Sequence, residues 1–196
     1  GFLSYDKDSP QLPWPYCDMK EGDDRCPVAK SCFQLLFSDS YSRDCQDYRR
    51  VCDTGDANML AVFLTHHPFS IECLLQLSSV CYQTNQSQEG LSLLQRALYV
   101  FEAAVPNSFK KHFGFMDYDI ANNSLFFLTL SRMVRVCHVA GLPTGALAFS
   151  RLLLSLDCLR DPMNTLILID HFCLLKNTHD DDLWLVKFFE SEKVTI

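Results

Sequence analysis

The chain has 196 residues, a mass of 22.5 kDa and a formal charge of −7, a balance that argues against nucleic-acid binding by this segment. Hydrophobic residues make up 48% and charged residues 21%, which excludes a disordered or low-complexity chain. Leucine outnumbers valine and isoleucine together and only seven glycines occur, so the composition favours helices over a sandwich or barrel.

The amino-acid composition of the chain changes near residue 28. Residues 1–27 are rich in proline, acidic and aromatic residues, which predicts an extended lead-in. Residues 28–196 are predicted to form one helical-repeat domain. Because the chain begins at Gly1 rather than Met, we expect it to be a fragment of a longer protein. The first predicted helices are Val28–Phe37, Tyr41–Cys52 and a short helix that Asn58 caps and that ends at Thr65.

A helical hairpin is predicted over residues 71–104. Apolar residues recur every three or four positions on each helix, and a short polar turn at 84–87 separates the two. A turn this short requires antiparallel packing. The residues predicted to face the core are Ile71, Leu74, Leu75, Ser78, Cys81 and Tyr82, then Leu91, Leu94, Leu98, Phe101 and Val105.

Three further helices are predicted after a less regular insert at residues 106–122. They are Asn123–Ala140, Thr144–Leu156 and a helix that Asp161 caps and Pro162 begins. The last of these is predicted to bury Met163, Leu166, Ile167 and Leu174. A polar turn at 177–182 then leads into the apolar run 183–189.

Stacked hairpins are the predicted architecture, because the helix from Thr144 is apolar on two faces and needs a neighbour on each. Residues 90–98 also align with 146–154 at an offset of 56 residues, and the second segment resembles the second helix of a tetratricopeptide repeat. We therefore expect an all-α superhelix of degenerate repeats. The alternative is a generic helical bundle with chance similarity.

No predicted site specifies a reaction, and we expect no metal, no cofactor and no catalytic residue. Of the ten cysteines, several lie at helix-core spacing, which favours reduced thiols over five disulfides. No zinc pattern occurs among Cys17, Cys26, Cys32, Cys45 and Cys52.

His66-His67 is predicted to be a polar loop pair, and His179–Asp182 is predicted to be a solvated turn. No apolar run approaches the roughly 20 residues that span a bilayer.

Asp170-His171 is the one acid–base pair inside an apolar helix. A catalytic dyad is one interpretation. Adjacent helical residues point about 100° apart, so we favour a structural carboxylate that is satisfied by a helix end, a turn or a basic side chain.

Short motifs in a fixed order resemble one known family, that of ribosome quality control complex subunit 1, also called transcription factor 25. The resemblance covers about residues 14–190. Its segments are Trp14-Pro15, Asp56–Asn58, His67–Ser78, Arg96–Glu102, Asp117-Tyr118, Asn123 with Phe126–Leu130, Gly141–Pro143 with Ala146-Leu147, Leu154–Asp157, and Asp161–Met163 with Leu166–His171.

The resemblance implies a non-enzymatic factor of ribosome-associated quality control, in the cytoplasm and also the nucleus. The implied partners are the Listerin ubiquitin ligase, the large ribosomal subunit, ubiquitin and a segregase ATPase. A role as a transcriptional repressor is the alternative that the family implies. Three positions depart from the family pattern: Ser124, Ala140 and Thr144 stand where the family has basic residues. We therefore assign none of the family's individual binding residues to this chain.

Overall fold

The computed structural model describes residues 16–20, 32–104, 115–157, 160–176 and 183–187, and this part of the chain is mostly helical, which confirms the all-α class. None of its helices is long and apolar enough to cross a membrane. The strands are β1 (Tyr16–Lys20), β2 (Cys32–Leu36) and β3 (Phe115–Met116). The helices are α1 (Asp39–Cys52), α2 (Ala57–His66), α3 (Ile71–Gln83), α4 (Ser87–Ala104), α5 (Ala121–Val139), α6 (Pro143–Leu156) and α7 (Thr165–Lys176), with a short helical segment at 183–187.

The chain divides into two compact units, residues 1–129 and 130–196, and the boundary falls inside α5. Each unit has buried apolar residues of its own. The predicted division between a lead-in at 1–27 and a repeat domain at 28–196 stays a prediction.

Strand β2 lies where a helix was predicted at Val28–Phe37, so that prediction is wrong for the described residues 32–36, and residues 28–31 lie outside the described part of the chain. In the order β1-β2-β3, β2 pairs antiparallel with β1 and parallel with β3, where Cys32 aligns with Phe115. Phe33 and Leu35 are buried, as alternate residues of a strand with one covered face should be. A short apolar run fits a helix or a strand, and here distant pairing partners decide the outcome.

Helices α1 and α2 begin at side-chain caps. Ser38 Oγ accepts a hydrogen bond from the Tyr41 amide at 3.2 Å, and Asp56 Oδ1 accepts one from the Asn58 amide at 2.8 Å. Asn58 was the predicted cap of α2, but Asp56 takes that position because its carboxylate reaches a free amide of the first turn.

The predicted hairpin of α3 and α4 is confirmed. Of the eleven expected core residues, six are buried, Cys81, Tyr82, Leu91 and Leu98 are half-buried, and Val105 lies outside the described residues. The two helices approach closely where α4 has Gly90. Ser78 Oγ donates a hydrogen bond of 2.9 Å to the Gly90 carbonyl oxygen. A Cβ atom added at Gly90 would lie 3.0 Å from Cε2 of Tyr82, so only glycine fits this contact without displacing a neighbour.

The second unit has a core built from α5, α6 and α7. Its buried residues are Val134, Cys137, Ala146, Leu147, Leu154, Ile169, Phe172 and Cys173. Trp184 of the short helical segment packs against this core, and the Arg151 guanidinium lies 4.0 Å from the centre of the indole ring. This stacking is a cation–π contact.

Helix α7 begins later and buries a different face than predicted. Its first residue is Thr165 rather than Pro162, and Asp161 caps it from upstream by accepting hydrogen bonds from the amides of Thr165 (2.8 Å) and Leu166 (2.9 Å). Asp161 and Asn164 have φ angles of +40° and +52°, so a turn intervenes between the cap and the helix. The buried residues are Thr165, Ile169, Phe172 and Cys173, whereas Ile167 and Leu174 are exposed.

The finer architecture, degenerate tetratricopeptide-like repeats in a superhelix, stays a prediction. Gly90 and Ala146, which align at the 56-residue offset, are both buried on their helices. Of the predicted insert at 106–122, residues 115–120 form β3 and a turn, and α5 already begins at Ala121.

Candidate interaction surface

The segment His67–Ser78, the longest motif of the resemblance, joins three helices. It runs from the C-cap of α2 through the N-cap Ser70 into α3. The Tyr41 hydroxyl of α1 accepts a hydrogen bond from the Ile71 amide at 2.8 Å and donates one to Glu72 Oε2 at 2.7 Å. Cys45 Sγ donates to Glu72 Oε1 at 3.2 Å. These side chains tie the first turn of α3 to α1, so the motif has a structural use here.

Tyr41 stays protonated in this position. Burial raises the pKa of Tyr41 well above 10.0, and the neighbouring Glu72 carboxylate raises it further. The hydroxyl is therefore a permanent donor to Glu72 at physiological pH.

The two histidines at the end of α2 have different surroundings. His66 is exposed, whereas the His67 ring stacks on Phe63 with 4.4 Å between centroids and an interplanar angle of 19°. His67 Nδ1 lies 3.3 Å from Asp44 Oδ1. Arg96 donates to the Pro68 carbonyl oxygen beside them. His66 is the last residue of α2 and His67 is its C-cap, so the pair predicted to lie in a polar loop stands at a helix end. The described residues contain no group of three His, Cys, Asp or Glu side chains that could hold a metal ion.

Asn123 is a buried polar residue whose use was not predicted. It is 0% exposed, its Oδ1 accepts from the Leu35 amide at 2.8 Å, and its Nδ2 donates to the Asp117 carbonyl oxygen at 2.9 Å. Asn122 Nδ2 donates to the Leu35 carbonyl oxygen at 3.0 Å. The start of α5 therefore holds the end of β2 in place. The resemblance had included Asn123, but a single residue type gives no signal of such a distant partner.

Asp170 and His171 lie on different sides of α7. Asp170 is half-buried, and its Oδ1 has no hydrogen-bond partner in the described part of the chain. The group predicted to satisfy this carboxylate stays a prediction. His171 is exposed, and its ring lies 5.4 Å from that of His138 in an edge-on arrangement. The geometry places the imidazole beside another imidazole on the surface.

Several of the cysteines are free thiols buried in the protein. Of the cysteines that the structure describes in full, all six are free. Of the four at predicted helix-core spacing, Cys73, Cys137 and Cys173 are buried, whereas Cys81 is half-buried. Burial raises the pKa of the Cys73 thiol to about 12, and nearby Cys52 and Glu72 add to the shift. A thiol with so high a pKa is a poor nucleophile at neutral pH. Cys26 and the turn at His179–Asp182 lie outside the described residues, as do the side chains of Cys17 and Cys32.

An apolar surface on α7 is the strongest candidate for binding a partner. Its side chains, here called the outer face of α7, lie opposite the core-facing residues and are all exposed. They are Ile167, Leu168, His171, Leu174 and Leu175. Monomeric proteins seldom leave contiguous apolar side chains exposed unless they bind something. Sequence reasoning missed this surface because it assigned Ile167 and Leu174 to the core.

The divergent positions lie near chain turns. Ser124 Oγ donates to the Ala121 carbonyl oxygen at 2.7 Å, which is a local contact within the first turn of α5. Ala140 and Thr144 are exposed on either side of the α5–α6 turn. Basic residues at these two positions would project into solvent.

Comparison with known proteins gives a consistent result. A family model described as "Transcriptional repressor TCF25" matches residues 33–195. The mouse protein "Ribosome quality control complex subunit TCF25" is 29% identical over 162 residues, which is 82% of this chain and 24% of that protein. "Ribosome quality control complex subunit 1" of Schizosaccharomyces pombe is 26% identical over 158 residues, 80% of this chain and 24% of that protein.

A third relative has a different description. "Probable transcription factor claV" of Ampulloclitocybe clavipes is 27% identical over 156 residues, 79% of this chain and 20% of that protein. The chain thus spans about a quarter or less of the length of these curated relatives. No solved structure matches the chain.

Proposed function

The chain belongs to the TCF25 family, and from that premise we propose that it is a non-enzymatic scaffold of ribosome-associated quality control. The observation that carries the proposal is the match over residues 33–195, together with relatives from mouse and fission yeast that are described as ribosome quality control complex subunits. A scaffold acts by holding its partners close together, which raises their effective concentration without new chemistry.

The contacts described above support a scaffold rather than a catalyst. Tyr41, Glu72 and Asn123 form hydrogen bonds that join helices and strands to one another. The high pKa of Cys73 suits a packing residue rather than a nucleophile. The apolar outer face of α7 is the kind of surface that a partner protein covers.

The partners proposed from the resemblance are the large ribosomal subunit, the Listerin ubiquitin ligase, ubiquitin and a segregase ATPase. The scaffold would keep the ligase near a stalled nascent chain until ubiquitin is attached and the ATPase is recruited. This proposal places the protein in the cytoplasm, with a nuclear fraction.

Affinity purification of the full-length protein, followed by mass spectrometry, tests the proposal. We expect ribosomal proteins of the large subunit and Listerin among the recovered proteins, and sedimentation with large subunits at low salt. Recovery of neither would contradict it.

A second candidate is a transcription-associated binding module in the nucleus. The description of the family as a transcriptional repressor and the name of the fungal relative favour it. Enrichment on chromatin together with absence from ribosomal fractions would support this alternative over the scaffold.

A measurable hydrolytic activity of this chain would contradict the proposal that it is not an enzyme. Asp170 and His171 are the residues to test, because they were the one acid–base pair within a helix. A hydrolytic activity that disappears in Asp170→Ala or His171→Ala would overturn the non-enzymatic proposal.

A further inference from the structure

Helix α7 has apolar residues on every side, interrupted by Asp170 and His171. One side packs into the core of the second unit through Ile169, Phe172 and Cys173. On the opposite side, Ile167 is 72% exposed and Leu174 is 75% exposed. A helix with apolar residues on opposite sides is normally covered on both.

The outer face of α7 has the dimensions of a helix-binding stripe. Ile167, His171 and Leu174 follow one another at intervals of four and three residues, so they line a single side. At a rise of 1.5 Å per residue, the eight steps from Ile167 to Leu175 span about 12 Å, which matches two to three turns of a partner helix. Parallel or antiparallel helices bury such stripes by interdigitating their side chains.

The two flanks of the outer face differ in charge: the flank that meets α5 carries His171, whereas the other flank carries the half-buried Asp170, three residues after Ile167 and four before Leu174. Among the described residues from 130 to 176, no acidic side chain is exposed, since Asp157 is buried and Asp161 and Asp170 are half-buried. Arg135 and His138 are both exposed and lie one turn apart on α5, and the His138 ring contacts that of His171 on the outer face. A partner with carboxylates along this border would meet a guanidinium and imidazoles rather than like charge.

We propose that the outer face of α7 binds an amphipathic helix of another protein, with apolar residues every three or four positions and Asp or Glu along one flank. This inference rests on the proposed scaffold function and names the chemistry of one of its partners. A membrane surface fits the charges less well, because binding to anionic lipid draws on clusters of Lys and Arg, and Arg135 is the one exposed Lys or Arg among the described residues of α5 and α7.

Site-specific photocrosslinking in cells tests the inference directly. A benzophenone amino acid is placed at Leu174 of the full-length protein, and the crosslinked residues are identified by mass spectrometry of the peptides. The expected product joins Leu174 to a helical segment of another protein that has the apolar spacing and the acidic flank. A crosslink to a second copy, to the same chain, to lipid, to a segment without acidic residues, or no crosslink at all, overturns the inference.

The crosslinked segment is then made as a synthetic peptide, and its affinity for purified full-length variants measures the contribution of each feature. Ile167→Ser with Leu174→Ser should weaken binding at least tenfold, because exposed apolar anchors are removed. Arg135→Glu should weaken it severalfold and reduce its dependence on salt. Val62→Ser, at an apolar position that is 53% exposed in the first unit, is the matched control and should bind like the wild type. Equal affinity for all four proteins would contradict the proposed contact.

The test separates this inference from the proposed function. A wild-type protein that sediments with large ribosomal subunits but gives no crosslink to an acidic helix contradicts the inference alone. A protein that gives the crosslink but is absent from ribosomal fractions contradicts the quality-control role, and the chemistry of the binding surface still stands.

Discussion

At the scale of single residues, buried polar groups determine which backbone segments are held together. Asn123 satisfies one amide of β2 and one carbonyl group of the Asp117 turn at the same time. Removing it leaves the buried Leu35 amide without its partner, which costs about 1–3 kcal/mol. It also removes one of two donors to the Asp117 carbonyl oxygen, the other being the Ile120 amide at 3.4 Å, at a cost of about 1 kcal/mol.

We therefore expect Asn123→Ala to lower the free energy of unfolding by about 2–4 kcal/mol, measured by urea denaturation. Asn122→Ala removes one contact of a half-buried side chain and should cost about 1 kcal/mol. Equal losses in the two variants would contradict the role given to Asn123.

The thiol of Cys73 should make stability depend on pH above neutrality. Burial raises its pKa from 9.0 to about 12, so the folded state keeps a proton that the unfolded state releases. Stability is then fully present below pH 9 and decreases as the pH rises from 9 through 12. The raised pKa of Tyr41 acts in the same direction above pH 10.

Cys73→Ala should show a shallower decrease in the free energy of unfolding between pH 8 and pH 10.5, measured in urea with a reductant present. Ser79→Ala, a non-titrating change on the same helix, should keep the wild-type slope. An unchanged slope in Cys73→Ala would show that Cys73 does not titrate as described.

At the scale of elements, the local signals of the sequence predict helices well and the strand poorly. Helices α1 and α3–α6 begin and end within a few residues of the expected positions, because apolar periodicity and turn residues lie inside or beside each helix. Strand β2 depends on β1 and β3, and β3 lies some 80 residues away. No local pattern shows such a partner.

Helix α7 illustrates a second limit. Its sequence has apolar residues on every side, so periodicity does not say which side meets the core. The upstream turn at Asp161 sets the start of the helix at Thr165, and the neighbouring helices select Ile169 and Phe172 for burial. The candidate surface was missed for the same reason.

The contact between α3 and α4 depends on the absence of a side chain at Gly90. Gly90→Val should lower the free energy of unfolding by about 1–3 kcal/mol, because its methyl groups would meet Tyr82 and Cys81. Ser92→Val, at an exposed position of the same helix, reports the intrinsic helix propensity of valine and should cost less than 1 kcal/mol. Comparable losses in the two variants would mean that the helices do not approach closely at Gly90.

At the scale of the whole molecule, the negative charge is concentrated in one unit. Residues 1–129 carry 10 basic and 16 acidic side chains, whereas residues 130–196 carry 7 and 8. A polyanion would be repelled by the first unit and would find few clustered cations on the second.

The 196-residue chain alone should therefore not shift single-stranded or ribosomal RNA in an electrophoretic mobility assay at 150 mM salt. A full-length protein that binds RNA would do so through residues outside this chain. Micromolar binding that weakens steeply as salt rises would contradict this prediction.

The hydrogen bond between Leu35 and Asn123 joins residues that are 88 positions apart, and this separation has a consequence for synthesis on the ribosome. At 5–20 residues per second, about 4 to 18 seconds pass between the translation of the two residues. During that interval the α3–α4 hairpin can fold from local contacts, while the edge of β2 that faces β3 has no partner. The nascent chain therefore presents one open strand edge, with the Leu35 amide unpaired, until the start of α5 leaves the exit tunnel.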